Sequence, residues 1–286
     1  MTNILEAILH IAELPILNVD QITFGNNRIT SVGDGLEIFV KNAFSNNFNT
    51  TDESTKITKY AEVFSYEGSQ TRPPDLMIKG GDSIEVKKTE SILSELQLNS
   101  SHPKAKLLAN SHLINNHCRT CEKWEEKDII YAIGHVPKSS KILSSLWLVY
   151  GNIYAADDDV YTNLKASIAE SLENTPEINF SETKELGRVN YVDPLKITNM
   201  RIRGMWLLQP PVKVFNYVYP YDTKLKFQLV AIVPSDKYHS FPAESRNKLE
   251  HSTNDKLSIQ NVKIKNPNNP VNLIDCKLIT IKIEND

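Results

Sequence analysis

The stretch PPDLMIKGGDSIEVKK, residues 73–88, decides how the chain is read. Two short apolar runs, 75–78 and 83–87, flank Lys79-Gly80-Gly81-Asp82, and Gly-Gly-Asp between such runs signals a hairpin. In the second run Glu85 and Lys87 stand two apart, so on a strand they leave one face while Val86 enters the core. The hairpin folds Asp75 back beside them. Two carboxylates and an ammonium thereby converge on one surface.

That combination suits phosphodiester hydrolysis. Hard carboxylate oxygens on Asp75 and Glu85 bind Mg²⁺, which polarises a phosphate and lowers the pKa of an attacking water. Lys87 orients or deprotonates that water and offsets the charge of the transition state. The plainer alternative is a solvated strand face, where Asp, Glu and Lys at this spacing are common. Pro73-Pro74 and the interleaved apolar residues favour core strands instead.

Working outward, the pattern predicts helices over 3–13 and 34–48, the second with Leu36, Phe39, Val40, Ala43 and Phe44 at helical spacing and Asp34 as a cap. Strands are expected at 61–66, 75–78, 83–87, 127–135 and 143–150, then a helix at 158–172. Extended segments follow at 195–206, 226–233 and 277–283. The polar segments 46–58 and 243–255 read as surface loops. Strands mixed with helices indicate an α/β or α+β fold, and the absence of repeats or a linker favours one domain over 1–286.

Composition excludes more than it identifies. The net charge of −3 argues against a protein that coats nucleic acid nonspecifically, while leaving room for a local basic surface. No apolar run reaches the roughly 18–20 residues of a membrane span, and residues 1–17 lack the features of a secretory leader; no membrane association and a cytoplasmic location are expected. Three cysteines suit a reducing compartment. Cys118 and Cys121, after His117, have the spacing of half a zinc site, with His112 and Cys276 as the loose remaining candidates, so reduced cysteines on a helix are the better reading. Tyr217, Tyr219 and Tyr221 are read as core or cross-strand residues.

The segment at 73–88 resembles the PD-(D/E)XK nuclease signature, in a form similar to that of the NgoPII family of type II restriction endonucleases. The resemblance extends to GNNRITSVGDGLEIFVKNAF (25–44), AEVFSY (61–66), LNSSHPKAKL (98–107), ELGRVNYVDPLKITNMRIRGMW (185–206) and VFNYVY (214–219). It implies a restriction endonuclease-like α/β fold, a mixed central sheet flanked by helices, with a catalytic core over about 30–150 and DNA-recognition elaborations over about 151–286. It also implies Mg²⁺-dependent double-strand cleavage of DNA by a homodimer at a short palindrome, with GGCC as the preferred candidate. A protective DNA methyltransferase is expected in the same system.

Further site residues follow. Glu37, on the second helix, is a candidate carboxylate linked to the metal centre, or an exposed helix glutamate. In the stretch 99–106, Lys104 and Ser100 are candidate phosphate contacts; Ser100 or Ser101 could instead cap a helix begun at Pro103. Arg188, Asn190, Arg201 and Arg203 form the candidate base-reading surface, since arginine grips guanine and asparagine grips adenine bidentately; exposed strand residues paired with acids are the alternative. A structure-specific repair or junction nuclease with the same core, or an inactive DNA-binding protein, would share these features.

Overall fold

The computed structural model describes residues 2–14, 32–69, 72–138, 140, 142–183 and 186–285. Residues 25–31 and 185 of the quoted resemblance lie outside them.

Helix α1 (Ile4–Ala12) starts where the Asn3 side chain accepts the Leu5 N–H at 2.9 Å, and it buries Ile4, Leu5, Ile8 and Ile11. Helix α2 (Val32–Ser45) lays Leu36, Phe39, Val40 and Ala43 into the same core, the apolar stripe that the spacing predicts. It begins before Asp34, which lies inside the first turn and is not the cap. Helix α3 (Glu53–Val63) replaces the end, 53–58, of the expected loop at 46–58, whose first part 46–52 is irregular as expected, and shortens the strand expected from 61. The reason is local: the Asp52 carboxylate accepts the Thr55 N–H at 2.7 Å together with the Ser54 and Thr55 hydroxyls, a complete N-cap.

Strands β1 (Phe64–Ser69), β2 (Arg72–Ile78) and β3 (Ser83–Thr89) follow, then the short β4 (Leu96–Gln97) and β5 (Lys106–Leu108), helix α4 (Asn116–Thr120), β6 (Glu126–His135), β7 (Ser145–Tyr150) and helix α5 (Asp158–Glu173). No helix follows Pro103, so Ser100 and Ser101 cap none. The buried Tyr131 hydroxyl instead engages both the N–H and the C=O of Lys104, which holds this segment extended.

The second half adds β8 (Asn179–Glu182), β9 (Gly187–Asn190), β10 (Met200–Ile202), β11 (Leu207–Leu208), α6 (Pro211–Val214), β12 (Phe227–Pro234), α7 (Ser235–Ser240), α8 (Ala243–Glu250), β13 (Leu257–Lys265) and β14 (Leu273–Ile283). Only 200–202 of the stretch 195–206 is a full strand. Its start is a turn, because the Asp193 carboxylate takes the Leu195 and Thr198 N–H groups at 3.0 and 2.6 Å. The expected loop at 243–255 is largely α8, whose buried Leu249 and Ser245 face the core; Ser245 accepts from the Asn3 side chain at 3.1 Å. β13 escapes the pattern because its exposed side chains are mostly polar.

Among the described residues the main sheet runs β1-β2-β3-β6-β7-β12-β14-β13, with β5 on β6. β3–β6 and β7–β12 are parallel and the other pairs antiparallel, so the sheet is mixed and carries helices, as expected. The fully buried runs of β6, β7 and β12 form its middle. α2 packs close to β6 at Gly134, where an added Cβ would come 2.6 Å from Leu36. β8, β9 and β10 form a separate small sheet. No helix among the described residues is long and apolar enough to cross a membrane.

Candidate active site

The hairpin at 72–89 makes the site by ending its own ladder early. β2 and β3 pair at Leu76–Ile84 and Met77–Ser83 and then part. The next inward N–H, that of Val86, donates to Asp75 Oδ2 at 2.6 Å instead of to a strand carbonyl. The other edge of β3 stays paired with β6 from Ser83 to Thr89, so Glu85 and Lys87 sit on a fixed support. Ile84 and Val86 join the core beneath α2, which leaves Glu85 and Lys87 on the opposite face, as period-two alternation requires. Behind Asp75, Gly68 of β1 lets the strands approach: a Cβ there would lie 2.3 Å from the Pro74 carbonyl oxygen.

The charges of the three groups act on one another. Lys87 Nζ lies 2.5 Å from Glu85 Oε1. Glu85 Oε2 is buried with no hydrogen-bond partner among the described residues. Burial, and then the Glu85 charge, push the Asp75 carboxyl up to about 7 despite Lys87 and the Val86 bond. Burial alone would lower Lys87, but the Glu85 and Asp75 carboxylates outweigh it and raise its pKa, so Lys87 is an ammonium here. Glu37, half-buried on α2, contributes to the shifts of both Asp75 and Lys87.

The residues fit a hard divalent cation. No cage of three or more His, Cys, Asp or Glu occurs among the described residues. Mg²⁺ needs none, since it commonly takes one or two carboxylates and completes its shell with water and substrate phosphate. A buried carboxylate oxygen without a partner beside a carboxyl held near neutrality is a donor set that a cation would satisfy. The cysteines offer no rival: Cys118 is buried against Met77, Sγ to Sδ 3.3 Å, and burial pushes its thiol up to about 12.

Lys104 is brought to the same neighbourhood. Tyr131, whose hydroxyl accepts the Lys104 N–H at 2.6 Å, is the register partner of Glu85 on β6, and the Glu85 charge acts on the buried Lys104 ammonium. Ser100 is half-buried in the preceding turn, where the Ser101 N–H donates to the Leu98 carbonyl at 3.2 Å. Arg188 and Arg201 are direct cross-strand partners on β9 and β10, and both are exposed, as is Arg203 just beyond β10. Asn190 differs from them, because its Nδ2 donates to Asn179 Oδ1 at 3.2 Å and Ser181 Oγ at 3.1 Å. The sequence pattern did not single out His102 and Asp158, whose side chains meet at 2.5 Å beside Lys104 although 56 residues apart. Asp158 was legible only as a helix start, and His102 only as one donor among several.

Comparison with known proteins supplies the class. Over 278 residues, covering 97% of this chain and 99% of the other, the chain is 48% identical to a protein of Neisseria gonorrhoeae named type II restriction enzyme NgoPII. The protein is thus an enzyme of the type II restriction class, a site-specific deoxyribonuclease. The model of the NgoPII restriction endonuclease family matches residues 2–265, and the chain belongs to that family. No solved structure matches it.

Proposed function

We propose that the protein is a Mg²⁺-dependent PD-(D/E)XK nuclease that cuts both strands of duplex DNA at a short palindrome, with GGCC the expected site. One observation carries this reading: the hairpin brings Asp75, held near pH 7 by burial and then by the Glu85 charge, onto one surface with Glu85 and the Lys87 ammonium. Asp75 and Glu85 would hold the metal, which when bound supplies positive charge at the phosphate and lowers the pKa of water. Lys87 holds and orients a water through Nζ and offsets negative charge on the phosphate oxygens. Glu37 adds a third carboxylate charge to this centre, and Lys104 and Ser100 contact phosphates of the cut strand.

The catalytic core spans about 30–150. Residues about 151–286 extend the sheet and supply the small sheet β8–β10, where Arg188, Asn190, Arg201 and Arg203 read bases. A palindromic duplex calls for a two-fold homodimer. α5 exposes Val160, Leu164 and Ile168 along one stripe, the kind of face a second copy would cover. A cytoplasmic location and a companion methyltransferase complete the proposal.

The test is to digest plasmids with Mg²⁺ and sequence the fragment ends, with Asp75→Ala as the control. A single palindrome at every end supports the reading. Cutting by Asp75→Ala at the parental rate removes the proposed centre, and ends without a common sequence remove the palindrome.

A further inference from the structure

The cluster around Asp158 lies outside the carboxylate centre and yet leads to it. Asp158 Oδ1 receives two groups: His102 Nε2 at 2.5 Å and Lys104 Nζ at 3.8 Å. Both partners are nearly fully buried, whereas Asp158 is half exposed in the first turn of α5, where the helix dipole favours an anion. Burial lowers the pKa of Lys104, and the Asp158 and Glu85 carboxylates oppose that shift. The cation is therefore tied to Asp158 and lies within the field of the candidate metal ligand Glu85, whose register partner Tyr131 bonds the Lys104 backbone.

The backbone of Lys104 is equally constrained. The Tyr131 hydroxyl binds its N–H and C=O, and Gly151 lies so close that an added Cβ would stand 2.3 Å from the Lys104 carbonyl oxygen. His102 is fixed by its ring, stacked on Tyr161 of α5 with centroids 5.1 Å apart and edge-on to Trp206 at 5.9 Å. Trp206 in turn is tied to the same loop by its N–H, which donates to the Asn99 carbonyl at 2.8 Å. Trp206 stands three residues beyond Arg203. A packed path thus runs from Trp206 through His102 and Asp158 to Lys104.

We propose that Asp158, oriented by His102, is a positioning residue for DNA cleavage: it holds the Lys104 ammonium beside Glu85, where it meets the phosphate being cut. A lysine side chain left free would sample many rotamers, and fixing one beforehand removes that cost from the reacting complex. Asp158 acts through Lys104 and so governs the cleavage step more than DNA affinity. The inference rests on the proposed assignment of Asp75, Glu85 and Lys87.

The experiment measures single-turnover cleavage with Mg²⁺ for Asp158→Asn, Asp158→Glu, Lys104→Met and the Asp158→Asn/Lys104→Met double variant. DNA Kd is measured for each in a Glu85→Gln background. Asp158→Asn is expected to slow cleavage by about tenfold or more with Kd within about twofold, Asp158→Glu to recover most of the rate, and the double variant to be no slower than Lys104→Met alone. His102→Phe, which keeps a stacking ring but no Nε2 donor, should slow cleavage more than His102→Gln. The proposal is overturned if Asp158→Asn cuts at the parental rate, if its loss lies in Kd, if the two single losses multiply in the double variant, or if His102→Gln is the slower. Cleavage by the Glu85→Gln protein at the parental rate would instead sink the assignment on which the inference rests.

Discussion

The hairpin at 72–89 and the small sheet at 179–202 with its flanking loop are opposite solutions within one chain. In the first, three charged groups are packed onto a strand fixed by its pairing with β6, and burial together with their mutual fields sets their chemistry. In the second, charged and apolar side chains alike face solvent: Arg188 and Arg201 oppose each other, and Leu195 and Ile197 are 78% and 75% exposed. Cutting chemistry benefits from atoms that cannot shift by an ångström, because misplacement costs rate steeply. Base reading benefits from long side chains on an exposed ribbon able to enter a groove.

The sharpest way to break this division is to exchange the phenotypes. Glu85→Gln or Lys87→Ala is expected to lower single-turnover cleavage by about a thousandfold or more while DNA affinity changes only a few-fold. Arg201→Ala should do the reverse, costing about 1–3 kcal/mol of discrimination at one base pair with little change in the rate of the bound complex. Competition binding against single-base variants of the cleaved site measures the second effect. A loss of discrimination in Lys87→Ala, or of bound-state rate in Arg201→Ala, would merge the two regions.

Packing offers a smaller contrast. Gly68→Ala places a methyl against the Pro74 carbonyl oxygen and should cost about 1–3 kcal/mol, a clear fall in Tm, together with activity, since Asp75 moves with Pro74. A gentler slope comes from pH. Because the folded-state pKa of Asp75 is raised from 3.8 to about 7, the folded protein holds a proton that the unfolded chain releases. Metal-free stability should therefore fall, relative to Asp75→Asn, as pH rises from 3.8 to about 7, and level off above. Thermal melts of both proteins across that window check the sign. At the far end, Gly204→Ala, with nothing within 4 Å of the new methyl, should leave the free energy of unfolding within about 0.5 kcal/mol of the parent.

The same contrast explains what could be read from the sequence. Asp75, Glu85 and Lys87 were legible because period-two alternation and a glycine turn bring together residues at most 12 apart. The buried runs of β6, β7 and β12 announced themselves by composition. α3 and α8 were obscured by polar residues, since a cap at Asp52 and two inward positions, Ser245 and Leu249, decide them rather than an apolar stripe. The turn at Asp193 hid in a segment of strand-like composition. His102 and Asp158 left no local pattern, because only the tertiary fold closes the gap between them.

Asp75 also does the work of a backbone carbonyl, taking the Val86 N–H where the ladder stops. The carboxylate is thus part of the zipper as well as part of the centre it helps to build. A newly made chain carries every residue of the proposed centre yet has no such centre until β2 and β3 have closed and β6 has docked alongside. In a cell that holds its own DNA beside such an enzyme, assembly of the fold is itself a form of restraint.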